Sequence, residues 1–293
     1  MRVLLVALVL LASTAAPASA ALPVVYNGIL GYAHTSATAS PPGANDFSCR
    51  PSAAHRRPVI LVHGTFADRS NTWQALSPLL KNNGYCVFAL DYGSFNGSGA
   101  LGIYATGLIE HSAQELSAFV DRVLAATGAA QVDLVGHSQG GMMPRYYLLE
   151  NGASKVHALV GLSPSNDGTT LDGIFTLASH FPGSDALLAD CPACAEQEAG
   201  SPFITQLNAG GETVPGVAYT VIQSRNDEVV TPYTSAFLAG ANNITLQDQC
   251  VLDQGEHVSM PYDHIADADV LTALDPAHPR HPACTPVAPV SGG

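Results

Sequence analysis

The chain has 293 residues, enough for one large domain or two small ones with a substantial core, and 47% of them are hydrophobic against 12% charged. That balance excludes extended disorder, a coiled coil and a collagen-like fibre. Lys and Arg number 11 against 24 Asp and Glu, a formal charge of -13, so neither nucleic acid nor an anionic membrane surface is an electrostatic partner.

The N-terminus reads as an export leader. Arg2 is a short positive region, residues 3–12 are apolar but too short to cross a bilayer, and Ala18-Ser19-Ala20 is a small-residue cleavage site. The expectation is a signal peptide over 1–20 and one α/β domain over 21–293, secreted, extracellular and monomeric. The cysteines agree with export. Cys49, Cys86, Cys191, Cys194, Cys250 and Cys284 are even in number and can pair in 15 ways, among which spacing does not choose. Cys191-Pro192-Ala193-Cys194 is the sole C-x-x-C and has no His close by, so no metal site is expected.

Residues 27–58 are rich in Gly, Pro, Ser and Ala and read as irregular. Val59-Ile60-Leu61-Val62 is a continuous apolar run ending at His63-Gly64, the pattern of a strand buried on both faces. Residues 71–83 suit a helix stopped by Gly84, and 85–90 a second strand. Leu116, Phe119, Val120, Val123 and Leu124 recur at helical spacing ahead of Gly128. A strand over 132–135, a helix over 142–150, strands over 156–162 and 217–222, and a helix over 265–274 stopped by Pro276 complete the series. Strands alternating with helices predict a mostly parallel, doubly wound α/β sheet.

Gly136-His137-Ser138-Gln139-Gly140 is a G-x-S-x-G pattern set between the 132–135 strand and the helix that follows. In that context it is a nucleophile elbow, a turn so tight that only small residues fit two before and two after the serine. The helix start then faces the negative charge that develops in acyl transfer. Pro144 is placed early in this helix, where a missing N–H costs least. Ser138 needs a base and an orienting acid, which follow an elbow in the order Ser, acid, His. The acid belongs after a late strand, which selects Asp227 in Ser224-Arg225-Asn226-Asp227-Glu228-Val229-Val230, with Glu228 and Asp167 as competitors. The base belongs on a loop before the last helix. That selects His257 over His264, expected to pack or cap at the helix start, and over His278 and His281 in a Pro-rich tail. Two backbone N–H groups should hold the oxyanion, those of Gln139 and of Thr65, where Gly64 bends the loop toward Ser138; the Thr65 hydroxyl offers a further bond.

Together Pro58-Val59-Ile60-Leu61-Val62-His63-Gly64-Thr65, Gly136-His137-Ser138-Gln139-Gly140-Gly141 and Asp227-Glu228-Val229-Val230 resemble the secreted class 2 bacterial lipases. The chain is similar to actinobacterial extracellular lipases over roughly residues 45–284. The resemblance implies an α/β-hydrolase fold and cleavage of carboxylic esters, chiefly acylglycerols at a lipid–water interface, without a cofactor. It carries the triad onto Ser138, Asp227 and His257. Some relatives also attack aliphatic polyesters, so a polyester hydrolase or short-chain esterase is the rival enzyme, and a non-catalytic exported binding protein the rival class. The fungal lipase B group looks like a distant cousin. Its Gly-Thr loop and its Gln after the nucleophile support Thr65 and Gln139. Its disulfides match Cys49 with Cys86 and Cys250 with Cys284, leaving Cys191 with Cys194. Residues 169–211 depart from the smallest class 2 lipases. They carry Leu171, Ile174, Phe175, Leu177, Phe181, Leu187 and Leu188, partly at helical spacing, and are expected to lie over Ser138, as either a core helix or an apolar wall of limited mobility that binds acyl chains.

Overall fold

Among the described residues five largely apolar segments and one polar one form a single sheet of six parallel strands: β1 (Val59–Val62), β2 (Val87–Leu90), β3 (Val132–His137), β4 (Val156–Leu162), β5 (Ala218–Gln223) and β6 (Asn242–Thr245), in the order β2-β1-β3-β4-β5-β6. The computed structural model describes residues 20–293 other than 34, 37, 38, 182, 185–187 and 189. The expected leader therefore lies, Ala20 apart, outside the described residues, as does Leu187.

Helices cover both faces. The chain adds α1 (Gly28–Ala33), α2 (Arg69–Thr72), α3 (Leu76–Asn82), α4 (Ile109–Thr127), α5 (Gln139–Tyr147), α6 (Leu171–Ser179), α7 (Pro192–Glu196), α8 (Pro202–Asn208), α9 (Leu246–Gln249) and α10 (His264–Leu274). Side chains alternate along β1. Ile60 and Val62 join a core with Leu116, Val120 and Val123 of α4 and Met142 and Met143 of α5. Val59 and Leu61 join a second core with Leu76 and Leu80 of α3 and Ile265 and Val270 of α10. A strand buried on both faces has no polar side to show, which is why these runs are continuous. The strand order reverses at β1, between β2 and β3, and a ligand site is expected at the carboxyl ends of strands flanking such a point.

The elements depart from the expected series at several points. Residues 71–83 form α2 and α3 with a break at Trp73, Gln74 and Ala75. Pro78 has no N–H and is tolerated only in a first turn, so the helix must restart at Leu76, and buried Trp73 fills the corner. The helix after the elbow begins at Gln139 instead of 142, so Pro144 is interior and the Gly140 carbonyl loses its helical donor. Within 27–58 a short helix, α1, does form. Strand β6 (Asn-Asn-Ile-Thr) is a polar edge strand with no apolar run to mark it.

Three disulfides are present, Cys49–Cys86, Cys191–Cys194 and Cys250–Cys284, with Cα separations of 5.9, 5.3 and 5.1 Å. Among the described residues no helix is long and apolar enough to cross a membrane.

Candidate active site

Ser138 sits between β3 and α5 at φ 55°, ψ -126°, a conformation L side chains avoid at a cost of about 1–3 kcal/mol. The turn leaves no room beside it. A Cβ on Gly136 would lie 1.8 Å from the Gly140 carbonyl oxygen, and one on Gly140 would lie 2.1 Å from that of Val62. A Cβ on Gly64 would meet Ser138 Cβ at 2.8 Å, so the loop after β1 passes directly against the serine. The small residues at these positions are thus demanded by contact.

The loops after β5 and β6 bring Asp227 and His257 together. Asp227 Oδ2 accepts from His257 Nδ1 at 3.0 Å with both side chains fully buried. Asp227 Oδ1 is held by the Val229 and Val230 N–H groups at 2.9 and 2.7 Å. Burial opposes an imidazolium at His257, yet the Asp227 charge and its hydrogen bond, with Glu228 and Glu256 beyond, outweigh it and raise the imidazole above its ordinary value. Because Nδ1 carries the proton given to Asp227, Nε2 is the basic nitrogen. It is buried with no hydrogen-bond partner among the described residues, so no bond to Ser138 is made in this state. Catalytic hydrogen bonds of this kind commonly close only around a substrate.

The His257 loop is held from behind. Glu256 accepts from Val258 N–H (2.8 Å), Ser259 N–H (3.1 Å) and Val290 N–H (2.7 Å). His137 Nε2–H donates to the His257 carbonyl at 2.9 Å, and burial, reinforced by His257, keeps His137 neutral. Glu256 has no sequence signature, and its role comes from the turn it wraps.

Thr65 and Gln139 are both buried at the carboxyl ends of β1 and β3. Neutral, buried His63 donates from Nδ1 to the Gly64 carbonyl at 2.9 Å, and Ala67 N–H donates to it at 3.3 Å. Across a trans peptide the C=O and N–H point opposite ways, so fixing the Gly64 carbonyl also fixes the Thr65 N–H. Among the described residues nothing accepts that N–H. Gln139 N–H, the first of α5, has no acceptor within its helix.

Of residues 169–211, Thr169, Ile174, Leu177 and Gln197 reach this point. Ile174 and Leu177 of α6 line one cavity with Thr65, Ser138, Ser165, Gln197 and Val230. The cavity is only ≈ 10 Å³, room for about one water. The cover is tied to the acid loop. Thr169 Oγ1 donates to the Val229 carbonyl and accepts from Thr231 N–H, and the Thr170 and Thr231 hydroxyls bond at 2.8 Å. Phe181 packs near Phe66 with ring centroids 6.4 Å apart, Leu188 is half-buried, and Phe175 faces outward, 58% exposed.

Among the described residues the remaining candidates make no hydrogen bond to Ser138 or His257. Asp167 Oδ1 accepts from Asn208 at 2.8 Å. Glu228 pairs with His180, at the end of α6, at 3.4 Å. His264 reaches the carbonyls of Gly293 and Ala283 and so packs the tail, while Asp263 caps α10. His278 pairs with Asp275 at the surface, and His281 is exposed. Among the described residues no three His, Cys, Asp or Glu side chains converge to hold a metal ion.

The family model for Lipase (class 2) matches residues 56–267, more than half of the chain. The chain belongs to the class 2 lipase family. A triacylglycerol lipase of Pseudarthrobacter phenanthrenivorans is 39% identical over 105 residues, 32% of this chain and 28% of that one. A triacylglycerol lipase of Burkholderia plantarii is 38% identical over 105 residues, 32% of this chain and 25% of that one. The match therefore spans little more than a quarter of those relatives' length. The crystal structure of Aspergillus fumigatus lipase B superposes with a TM-score of 0.61 at 21% identity, covering 82% of this chain and 56% of that one, a likeness of fold. The class 2 lipase has the α/β-hydrolase architecture that its sequence predicts.

Proposed function

We propose that this class 2 lipase is an exported, single-domain serine ester hydrolase whose main substrates are triacylglycerols, met at a lipid–water interface. The observation that carries the reading is the strained Ser138, next in the chain to His137, whose ring lies 4.8 Å from that of His257 in a fully buried Asp227–His257 pair, with two backbone N–H groups that find no acceptor among the described residues.

In this reading His257 Nε2 takes the Ser138 proton as Oγ attacks the ester carbonyl. The carbonyl oxygen becomes negative and is held by the Thr65 and Gln139 N–H groups. Asp227 stabilises the imidazolium, which then protonates the departing alcohol. Water, deprotonated by the same nitrogen, releases the fatty acid from Ser138. Each step is an acyl or proton transfer among these groups.

The test is hydrolysis of p-nitrophenyl esters of rising chain length, triolein emulsion and polyester film by wild type and Ser138→Ala. Turnover should vanish in the variant while near-ultraviolet circular dichroism stays unchanged. Residual turnover above about one per cent refutes the assignment, because loss of a triad member costs many orders of magnitude. Activity confined to film or to the shortest esters would move the substrate class.

A further inference from the structure

The Thr65 hydroxyl oxygen lies between two side-chain amides. Gln139 Nε2 is 3.0 Å from Thr65 Oγ1 and 3.0 Å from the Ala105 carbonyl oxygen. Gln197 Nε2, where α7 ends inside the cover, is 2.9 Å from the same Oγ1 and 3.1 Å from the Ala193 carbonyl oxygen. A carbonyl oxygen only accepts, so the amide atom that touches it must be the NH2 in both residues. Ser165 Oγ, 3.0 Å from Gln197 Oε1, fixes the other end of that amide in the same sense.

Thr65 Oγ1 therefore accepts two hydrogen bonds, and both its lone pairs are filled. Its own proton must leave in the one remaining direction. Among the described residues no acceptor takes it, and Thr65 shares its cavity with Ser138. With Gln139 alone, a lone pair would stay open and the hydroxyl would be free to rotate. The second amide removes that freedom.

We propose that Gln197 is a positioning residue of the oxyanion hole: its amide fills the second lone pair of Thr65 Oγ1 and so turns the hydroxyl proton toward the oxygen that becomes negative. The role rests on the ester-hydrolase reading above. It makes the cover part of the catalytic apparatus, since an ester meets all three donors only while residue 197 is seated.

The experiment is a cycle of wild type, Gln197→Met, Thr65→Val and the pair, assayed on soluble p-nitrophenyl butyrate. Met keeps the bulk of Gln without its N–H. Val keeps the backbone N–H at 65 and deletes the hydroxyl. Gln197→Met should lower kcat about tenfold and Thr65→Val about a hundredfold, with KM within about twofold. The pair should be no slower than Thr65→Val alone, because an unoriented and an absent hydroxyl are equivalent; a merely structural defect would multiply onto it. Full multiplication, or kcat within about twofold of wild type in Gln197→Met, overturns the role. If Gln197→Met does not fold, Gln197→Glu replaces it. Its carboxylate accepts the Thr65 proton and draws it from the hole, so the variant should be at least about tenfold slow and silent on Thr65→Val; wild-type kcat there also overturns the role. Turnover that survives Ser138→Ala would sink the ester-hydrolase reading itself, whereas Ser138-dependent turnover with multiplying losses sinks only Gln197.

Discussion

Asp227→Asn isolates the contribution of one proton position. Asp227 Oδ1 receives the Val229 and Val230 N–H groups, and only an oxygen can stay there. The new amide must therefore turn its NH2 toward His257 Nδ1, which Oδ2 faces at 3.0 Å in the native chain. Nδ1 then has to accept, which moves the ring proton to Nε2 and blocks it as a base. A wrong tautomer of this kind costs about 10⁴ in kcat, or about 5.4 kcal/mol of transition-state stabilisation. Each hydrogen bond at the site is exchanged for another, so stability should change by less than about 1 kcal/mol. Steady-state hydrolysis of p-nitrophenyl butyrate beside urea unfolding measures both quantities. Loss of less than about tenfold in kcat, or a rate loss matched by unfolding, would refute the reasoning. The pH profile is a second readout. In the proposed mechanism His257 works as a base only when neutral, and its raised value should put the acidic limb of kcat/KM above the ordinary imidazole value. In the Asn variant burial weighs more, so the limb of any residual activity should move to lower pH. The same raised value contributes stability that is full below the unfolded value and lost as pH rises through the folded one.

Further predictions concern the frame around the site. Arg145 is buried and donates to the Glu212 and Asn166 carbonyls at 3.1 Å each and to Asn208 at 2.6 Å, with burial lowering its pKa to about 10. Arg145→Leu should cost about 3–5 kcal/mol in urea unfolding, and a loss below about 1 kcal/mol would mean that these acceptors find water. Replacing Cys250 and Cys284 by Ser opens a loop with a sequence separation of 34, worth about 3–4 kcal/mol, and should reduce activity too, because the loop contains His257. Leu177→Ala should raise kcat/KM for p-nitrophenyl laurate relative to butyrate by widening the closed cavity; an unchanged ratio would show that α6 is not the acyl wall. Rates on tributyrin should show no large jump at its solubility limit, since the cover is tied down through Thr169 and Thr170, and a jump would reveal a freely opening lid.

What could be read in advance follows from where the information sits. The buried strands announce themselves because both faces are apolar, and the elbow because sterics admit only glycine at 136 and 140. The Asp227–His257 pair was legible by position, one after a late strand and the other before the last helix. Edge strand β6 carries two asparagines and no apolar run, so nothing local marks it. The break between α2 and α3 was written in Pro78, but a helical pattern on both sides hid it. Gln197 and Glu256 are out of reach for a different reason. Each acts through neighbours that tertiary structure supplies; Thr65 is 132 residues from Gln197.

The ties of the insertion also bear on how such proteins can be recombined. Residues 169–211 lie between β4 and β5 in the chain, the place of a cassette that relatives could trade. Yet Thr169 is bonded to the segment that follows Asp227, and Gln197 to the turn after β1. A chimera cut at 169 and 211 would import a cassette whose counterparts lie elsewhere in the donor. Breakpoints that keep Thr65, Gln197 and residues 227–231 from one parent should yield active hybrids, and those that divide them should yield folded, slow ones.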